Sequence, residues 1–140
     1  MRQMSLDVVV PLYNDEEVIE ELCKTVFTVL EEQFKSVRLI LIDDGSHDDT
    51  YQTAKKMRKE FDKTEVIRLA GNYGQHRAIL AGLRATKADI VAVMDSDLQD
   101  RPEHISIMVD RMLEEDTSMA IAKRIRRVDS RMKKITSRLF

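Results

Sequence analysis

The sequence has a single cysteine, Cys23, and this scarcity excludes two kinds of stabilising site. A disulfide needs two thiols in the chain, and the common structural zinc sites take several of their ligands from cysteine. The sequence also has no run of about 18 consecutive apolar residues, the length that a membrane-spanning helix requires. The first residues, MRQMSLD, lack the apolar core of a signal peptide. We therefore expect a soluble chain in a reducing compartment, the cytoplasm.

Length and charge narrow the class of protein further. A chain of 140 residues with 43% hydrophobic residues can bury one ordinary core, so we expect a single domain over residues 1–140. The net charge of −2 is unevenly distributed, because residues 123–140 carry +7 and the preceding residues carry −9. An acidic body argues against nucleic acid as a partner, whereas the basic segment suits a phosphate group or an anionic membrane surface. Charge alone also allows a solvated helix face.

Short apolar segments alternate with segments of helical periodicity. The apolar segments predict strands at residues 8–12, 37–42, 65–69, 90–94 and 118–122. Between them, apolar residues recur at helical spacing within residues 18–34, 51–61, 78–85 and 105–113. Repetition of strand, helix and strand builds a mostly parallel sheet with right-handed crossovers, flanked by helices. The sequence therefore predicts an α/β fold of the Rossmann-like type.

Acidic residues directly follow three of the predicted strands. They occur in the loop of residues 13–17, at Asp43 and Asp44, and at Asp95 and Asp97. Because the carboxyl ends of parallel strands lie at one edge of a sheet, we expect these clusters to converge on one crevice. Carboxylates brought together repel and raise one another's pKa, so such a crevice requires a cation or a ligand that offers hydrogen-bond donors.

The spacing Asp-Ser-Asp at residues 95–97 suits a divalent cation. In an extended turn Asp95 and Asp97 aim at one site, and Gln99, at the same parity, can add a neutral oxygen. Hard oxygen ligands of this kind suit Mg²⁺ or Mn²⁺, which keep some waters and also bind substrate phosphates. An Asp-x-Asp pattern alone is common in loops. Here its position directly after a predicted buried strand makes it a stronger indication of a metal site.

Four segments carry a resemblance to a known family: VVVPLYNDEE, LIDDGSHDDT, NYGQHRAILAGLRAT and DIVAVMDSDLQDRPEHI. Together they resemble the nucleotide-binding half of an inverting family-2 glycosyltransferase of the GT-A fold. Within that family, NYGQHRAILAGL and DSDLQDRPE are similar to the polyprenyl-phosphate glycosyltransferases, which include dolichyl-phosphate mannose synthase and bacterial undecaprenyl-phosphate sugar transferases. The resemblance runs in order over nearly the whole chain.

The resemblance implies a reaction and its partners. A sugar would pass from a nucleotide sugar, with UDP favoured over GDP, to a polyprenyl phosphate whose oxygen attacks and inverts the anomeric carbon. Mg²⁺ or Mn²⁺ would assist, and the full-length enzyme would work at the cytoplasmic face of a membrane. Family members continue beyond the equivalent of residue 140, so we expect a C-terminally truncated fragment, whose exposed apolar surface favours a homo-oligomer.

The resemblance also implies roles for individual residues around the nucleotide. Residues of the first two acidic loops would contact or support the base and ribose, and they are Pro11, Tyr13, Asp15, Glu17, Asp43 and Asp44. Among them, Asp43 would accept a hydrogen bond from the base, while Asp44 would support its loop. Asn72 and Ser96 would add polar contacts to the substrate.

A second group would hold the metal and the acceptor. Asp97 would bind the metal directly, Asp95 would lie near both ribose and metal, and Gln99 would complete the metal site. Arg124 would face the acceptor phosphate, and Arg138 would assist it. Asp97 and Arg124 are thus the expected catalytic residues, acting through charge stabilisation and positioning.

Other interpretations stay open on the sequence alone. Asp44 or Asp48 could only cap a helix, and Asn72 could only begin one. A non-catalytic sugar-nucleotide-binding module and a glycosyltransferase with a saccharide acceptor are alternative functions. A phosphoacceptor receiver domain would carry its acid pair after the first strand, and a nucleotidyltransferase would need a glycine-rich phosphate loop early in the chain. Here the pair follows the second predicted strand, and VPLYNDEE is not glycine-rich.

Overall fold

The computed structural model describes residues 1–123, which form four strands and four helices in strict alternation. The strands are β1 (Arg2–Leu12), β2 (Phe34–Asp43), β3 (Thr64–Arg68) and β4 (Ile90–Val93). The helices are α1 (Ile19–Leu30), α2 (Thr50–Glu60), α3 (Gln75–Ala85) and α4 (Glu103–Glu114). None of these described helices has both the length and the apolar character needed to cross a membrane. Arg124 and Arg138 lie outside the described residues.

The four strands form one sheet in the order β3-β2-β1-β4, and each neighbouring pair is parallel. β1 is central: Val9 pairs with Ile40 of β2 on one side and with Val93 of β4 on the other. Because every strand points the same way, the carboxyl ends lie at one edge, where open α/β sheets bind ligands. The predicted α/β fold with a mostly parallel sheet and flanking helices is confirmed.

The apolar runs of the central strands are continuous because helices cover both faces of the sheet. Val8 and Val10 are fully buried in a cluster with residues of α1, α2 and α4. Val9, between them in sequence, is fully buried in a second cluster on the other face, with Ala78 of α3. Full burial of each such side chain contributes about 1.5–3 kcal/mol, so neither face of β1 can tolerate a polar residue here.

Helix α3 packs very closely on the sheet. A Cβ atom at Gly82 would lie 2.5 Å from Cγ1 of Val9 and 2.6 Å from Cδ1 of Ile42. Only glycine fits at such a distance, since real Cβ contacts are longer. The close approach places the start of α3 beside the carboxyl ends of β1 and β2.

An ion pair joins β1 to β2 on the side of the sheet away from the crevice, near the loop that precedes β4. Asp7 of β1 is 2% exposed, and its carboxylate accepts hydrogen bonds of 3.0 and 2.6 Å from the Arg38 guanidinium on β2. Asp7 also accepts from the backbone N–H of Lys87, and Arg38 donates to the carbonyl of Ala85. Burial would raise the pKa of Asp7, but these hydrogen bonds outweigh it and hold the pKa below its ordinary value.

The prediction of a fifth strand at residues 118–122 is wrong. In the described part of the chain, these residues follow α4 without pairing with any strand. Met119 and Ile121 are 72% and 83% exposed. Apolar composition favours a strand only where a neighbouring backbone and a packing surface are available. Within residues 1–123, β4 pairs with β1 alone and offers this segment no hydrogen-bonded neighbour.

Candidate functional site

A crevice of about 390 Å³ opens where the loops after β1, β2 and β4 meet the start of α3. It is lined by Pro11, Leu12, Tyr13, Asp15, Asp44, Asn72, Gly74, Gln75, Asp95, Ser96 and Asp97. The three acidic loops therefore converge, as the sequence predicted. Glu17, Asp43 and Gln99, which were also expected at the site, do not line the crevice.

The loop after β1 is fastened to the loop after β4 by Asp15. Its Oδ2 accepts hydrogen bonds from the backbone N–H of Tyr13 and from the hydroxyl of Ser96, both at 2.9 Å. Ser96 is buried, so its hydroxyl serves mainly as a cross-link between the two loops. Tyr13 is 42% exposed, and its ring is available at the crevice wall.

The loop after β1 is also fastened to the loop after β2. The Asn14 side chain accepts from the backbone N–H of His47 at 3.0 Å, and the Asn14 N–H donates to Ser46 Oγ at 2.9 Å. The N–H of Asp15 donates to Thr50 Oγ1 at 2.7 Å. Asn14 has a φ of 53°, a left-handed conformation that asparagine tolerates better than most residues. These contacts fix the loop after β1, which contains Tyr13, to the loop after β2 and the start of α2.

The Asp43 carboxylate is fully covered and does not line the crevice, and its contact with a nucleobase stays a prediction. Asp43 is 0% exposed, and its Oδ1 accepts from the backbone N–H of Ser46 at 3.1 Å. Its Oδ2 lies 3.2 Å from Nε of Arg68 in an ion pair, without an aligned hydrogen bond. The Arg68 guanidinium in turn lies 4.6 Å above the ring of Tyr51. Asp43 thus stabilises the end of β2 from below the crevice.

Asp44 holds the loop before α3, whereas the sequence predicted that it supports its own loop after β2. Its two carboxylate oxygens accept from the backbone N–H groups of Tyr73 and Gly74, each at 2.8 Å. Asp44 is only 4% exposed, so this anchor is well shielded from water. Gly74 has a φ of 91°, which glycine adopts without strain, and it immediately precedes α3. Asp44 therefore does not cap α2, which was the alternative interpretation.

Asp95 and Asp97 both line the crevice, and the chemistry of their carboxylate oxygens fits a divalent cation. Among residues 1–123 no three carboxylate, histidine or cysteine side chains come together as a metal cluster made by the protein alone. Mg²⁺ and Mn²⁺ do not need one, because they retain waters and take further oxygens from substrate phosphates. Two carboxylates at the wall of a crevice of this size satisfy that requirement.

Gln99 and Glu17 are not placed where the sequence suggested. Leu98 has a φ of 59°, so the chain turns there and does not stay extended from Asp95 to Gln99. The parity that would aim the Gln99 side chain at the metal is lost, and its backbone N–H donates to Asp97 Oδ1 at 3.0 Å instead. Glu17 is exposed to solvent and does not line the crevice.

Gln75 is a lining residue that the sequence analysis missed. It is the first residue of α3, and its side-chain amide donates to Asp95 Oδ1 at 2.9 Å. The signal was present in the segment NYGQ, where a helix begins shortly after a strand. In a parallel sheet, such a junction lies at the same edge as the acidic loops.

The chain matches a protein-family model and curated relatives. Residues 7–139 match the model of Glycosyl transferase family 2. An undecaprenyl-phosphate 4-deoxy-4-formamido-L-arabinose transferase of Salmonella choleraesuis (strain SC-B67) is 36% identical over 136 residues, which are 96% of this chain. The chain spans 41% of the length of that relative.

Two solved structures have similar folds. A mannosyltransferase from Pyrobaculum calidifontis, in complex with GDP-Man and Mn²⁺, is 19% identical with a TM-score of 0.68, over 80% of this chain and 33% of its own. A glucosyl-3-phosphoglycerate synthase from Mycobacterium tuberculosis, in complex with Mn²⁺, UDP and glucosyl-3-phosphoglycerate, is 26% identical with a TM-score of 0.59. That match covers 79% of this chain and 40% of the synthase chain. The fold is the GT-A type that the sequence predicted, and the chain belongs to glycosyl transferase family 2.

Proposed function

We propose that this chain supplies the nucleotide-sugar site of an inverting glycosyltransferase that transfers a sugar to a polyprenyl phosphate. The observation that carries the proposal is the convergence of Asp44, Asp95 and Asp97 with Tyr13 on one crevice. That crevice occurs in a chain 36% identical to an undecaprenyl-phosphate sugar transferase. A ring and several carboxylates in one crevice suit a base, a ribose and a metal-bound diphosphate.

The donor would lie along the crevice with its base toward Tyr13. An exposed aromatic ring at the wall can stack on a base, and Pro11 adds an apolar surface beside it. UDP is proposed over GDP, as the resemblance implies, and a synthase of this fold that is 26% identical to this chain was solved with UDP. Asn72 lines the same crevice and offers an amide to the donor.

Asp95 and Asp97 would hold a Mg²⁺ or Mn²⁺ ion. When bound, the ion supplies positive charge that stabilises the departing nucleoside diphosphate. The two carboxylates are held in place by neutral amides, since Asp95 accepts from Gln75 and Asp97 accepts from the backbone of Gln99. A fixed pair of carboxylates avoids the cost of ordering them when the donor binds.

The acceptor phosphate would attack the anomeric carbon from the side opposite the nucleotide. A new bond forms between phosphate oxygen and anomeric carbon as the bond to the diphosphate breaks, which inverts the carbon. The attacking oxygen is already anionic near neutral pH, so no general base is required. The described residues therefore contribute chiefly by holding the donor in line, and such positioning is worth several kcal/mol.

Calorimetric titration tests the donor site. UDP and GDP are each added to the chain with and without Mn²⁺, and the same titrations are made with Asp97→Ala and with Asp62→Ala. Asp62 is an exposed residue outside the crevice lining and serves as a matched control. We expect Mn²⁺-dependent binding of UDP that Asp97→Ala abolishes and Asp62→Ala preserves. Absence of binding to a folded chain contradicts the proposal.

The acceptor class requires a separate experiment. Release of UDP from a panel of UDP-sugars is measured with undecaprenyl phosphate in detergent, and in parallel with free saccharides. We expect the polyprenyl phosphate to stimulate UDP release from one of the sugars. Stimulation by a saccharide alone would instead support the alternative acceptor.

A membrane surface is part of the proposed setting, at its cytoplasmic face. The acceptor is a lipid, and residues 123–140 carry a charge of +7, which suits an anionic lipid surface. Co-sedimentation with phosphatidylglycerol vesicles tests this point. We expect binding that weakens with added salt, and equal binding to neutral phosphatidylcholine vesicles would argue against the electrostatic attraction.

A further inference from the structure

The start of α3 is held at the crevice by a buried anchor. Asp44 accepts from the N–H groups of Tyr73 and Gly74, both at 2.8 Å, and is itself 4% exposed. The main chain immediately before Gln75 therefore has little freedom. Because Gln75 is the next residue, the direction in which its side chain leaves the helix is set by this anchor.

Gln75 reaches across the crevice to one of the two candidate metal ligands. Its Nε2 donates to Oδ1 of Asp95 at 2.9 Å, which joins α3 to the loop after β4. Both residues line the same crevice. The next residue, Ser96, donates a hydrogen bond to Asp15 in the loop after β1. The loop after β4 is therefore held by α3 through Asp95 and by the loop after β1 through Ser96.

The chemistry of the donor matters as much as its position. An amide N–H orients a carboxylate without carrying a charge, so this hydrogen bond does not itself neutralise Asp95. A lysine or arginine in the same place would form an ion pair with Asp95 and compete with a metal ion. Asp97 is also oriented by an uncharged donor, because its Oδ1 accepts from the backbone N–H of Gln99 at 3.0 Å.

We infer that Gln75 is a positioning residue that fixes the Asp95 carboxylate for a divalent cation by a neutral hydrogen bond anchored through Asp44. The inference rests on the proposed function, because it assumes that Asp95 and Asp97 bind a metal with the nucleotide. It adds a residue of α3 to a site otherwise built from the loops after the strands. Groups that orient a metal ligand typically change metal affinity by about 10–100-fold when removed.

The test compares wild type, Gln75→Ala and Gln75→Lys. Mn²⁺ binding in the presence of UDP is followed by the loss of the free Mn²⁺ electron paramagnetic resonance signal, and unfolding is followed by circular dichroism. Gln52→Ala is the control, because Gln52 is an exposed glutamine on α2 and does not line the crevice. We expect Mn²⁺ affinity to fall about tenfold in Gln75→Ala and further in Gln75→Lys, with melting temperatures unchanged.

The outcomes distinguish a failure of the proposed metal site from a failure of the positioning role of Gln75. Wild type that binds UDP without any effect of Mn²⁺ contradicts the proposed metal site, and the inference about Gln75 falls with it. Metal-dependent binding in wild type that is equal in Gln75→Ala overturns the role of Gln75 alone. Affinity in Gln75→Lys equal to or above that of Gln75→Ala overturns the argument from the neutral donor. A fall in melting temperature that accounts for the weaker binding assigns Gln75 a structural role instead.

Discussion

Asp43 and Asp44 are adjacent carboxylates that the fold uses in different ways. Asp43 is fully covered and paired with Arg68, whereas Asp44 lines the crevice and carries the loop before α3. The sequence shows two acids after a strand but not which one turns toward the crevice. That choice depends on the turn at Gly45, whose φ is 71°.

At the level of this residue, replacement of Asp44 is expected to weaken both the fold and the site. Asp44→Ala removes the acceptor of the Tyr73 N–H and leaves the Gly74 N–H with only Asn72 Oδ1 at 3.2 Å, at a cost of about 1–3 kcal/mol in the free energy of unfolding. Urea unfolding followed by circular dichroism measures the loss, and UDP titration measures the accompanying fall in affinity. Asp62→Ala, at an exposed position, is the control. Equal stability of the two variants would show that Asp44 is not an anchor.

The Asp7 carboxylate gives a pH dependence of stability. Arg38 is 28% exposed and keeps a second partner in Glu65 at 2.8 Å, so Asp7→Asn is expected to cost about 1.5–3 kcal/mol at neutral pH, as for hydrogen bonds between charged groups. The folded-state pKa of Asp7 lies below its ordinary value of 3.8. The ionised carboxylate therefore contributes its full stability above that pH, and the contribution is lost as the pH falls through the folded-state pKa.

Urea unfolding of wild type and Asp7→Asn over a series of pH values measures this dependence. The difference in unfolding free energy is expected to stay constant from neutral pH down to about 5 and to shrink progressively as the pH falls through 3.8 toward the lower folded-state pKa. Asp62→Asn provides the comparison for a carboxylate that is exposed. A difference that persists unchanged at the lowest pH would contradict the assignment of the stability to ionised Asp7.

Among the elements, α3 carries a glycine, Gly82, inside the helix, where helix propensity disfavours it. Gly82→Ala would gain about 0.5–1 kcal/mol from helix propensity, but the new Cβ meets Cγ1 of Val9 at 2.5 Å. Valine is stiff at χ1, so the neighbour cannot turn away easily, and overpacking of this kind costs about 1–3 kcal/mol. We expect net destabilisation in thermal unfolding. Gly71→Ala is the control, because its nearest contact would be 3.9 Å, and an increase in stability of Gly82→Ala would contradict the close packing.

The elements also show why part of the fold could be predicted and part could not. Four of the five predicted strands and all four predicted helices are present, because burial on two faces gives apolar runs and burial on one side gives helical spacing. β1 begins at Arg2, earlier than predicted, because backbone pairing does not require apolar residues. Residues 118–122 have the composition of a strand without a neighbour to pair with. The turn at Leu98, which moves Gln99 out of the site, likewise carries no clear signal in the sequence.

In the molecule as a whole, β4 has no strand partner on its outer side within residues 1–123, and we expect this edge to cause self-association. Val91 and Val93 are 39% and 47% exposed, and an apolar cavity of about 650 Å³ lies between β4 and α4. An unpaired strand edge with exposed apolar side chains is a site for contact between copies. We expect the sedimentation coefficient to rise with concentration.

Two lysine substitutions locate the contact. Val93→Lys is expected to reduce association, because a charged residue on an edge strand opposes pairing between copies. Leu80→Lys, at a residue 48% exposed on α3, is expected to leave association unchanged. The reverse result would place the contact on the α3 face, and a sedimentation coefficient independent of concentration would mean that the β4 edge does not associate.

The central position of β1 has a consequence for the order of folding. β1 is the first strand in the chain, yet one side of it pairs with β4, so Leu6 must find Ile90. Contacts between residues so far apart in sequence close large loops, and parallel strands of this kind form slowly. During synthesis, β1 and β2 can pair first. The side of β1 that pairs with β4 stays unpaired until residues up to Val93 have been made. Pulse-labelling hydrogen exchange would detect this as protection of the β1–β2 amides before those of β4, and simultaneous protection would contradict it.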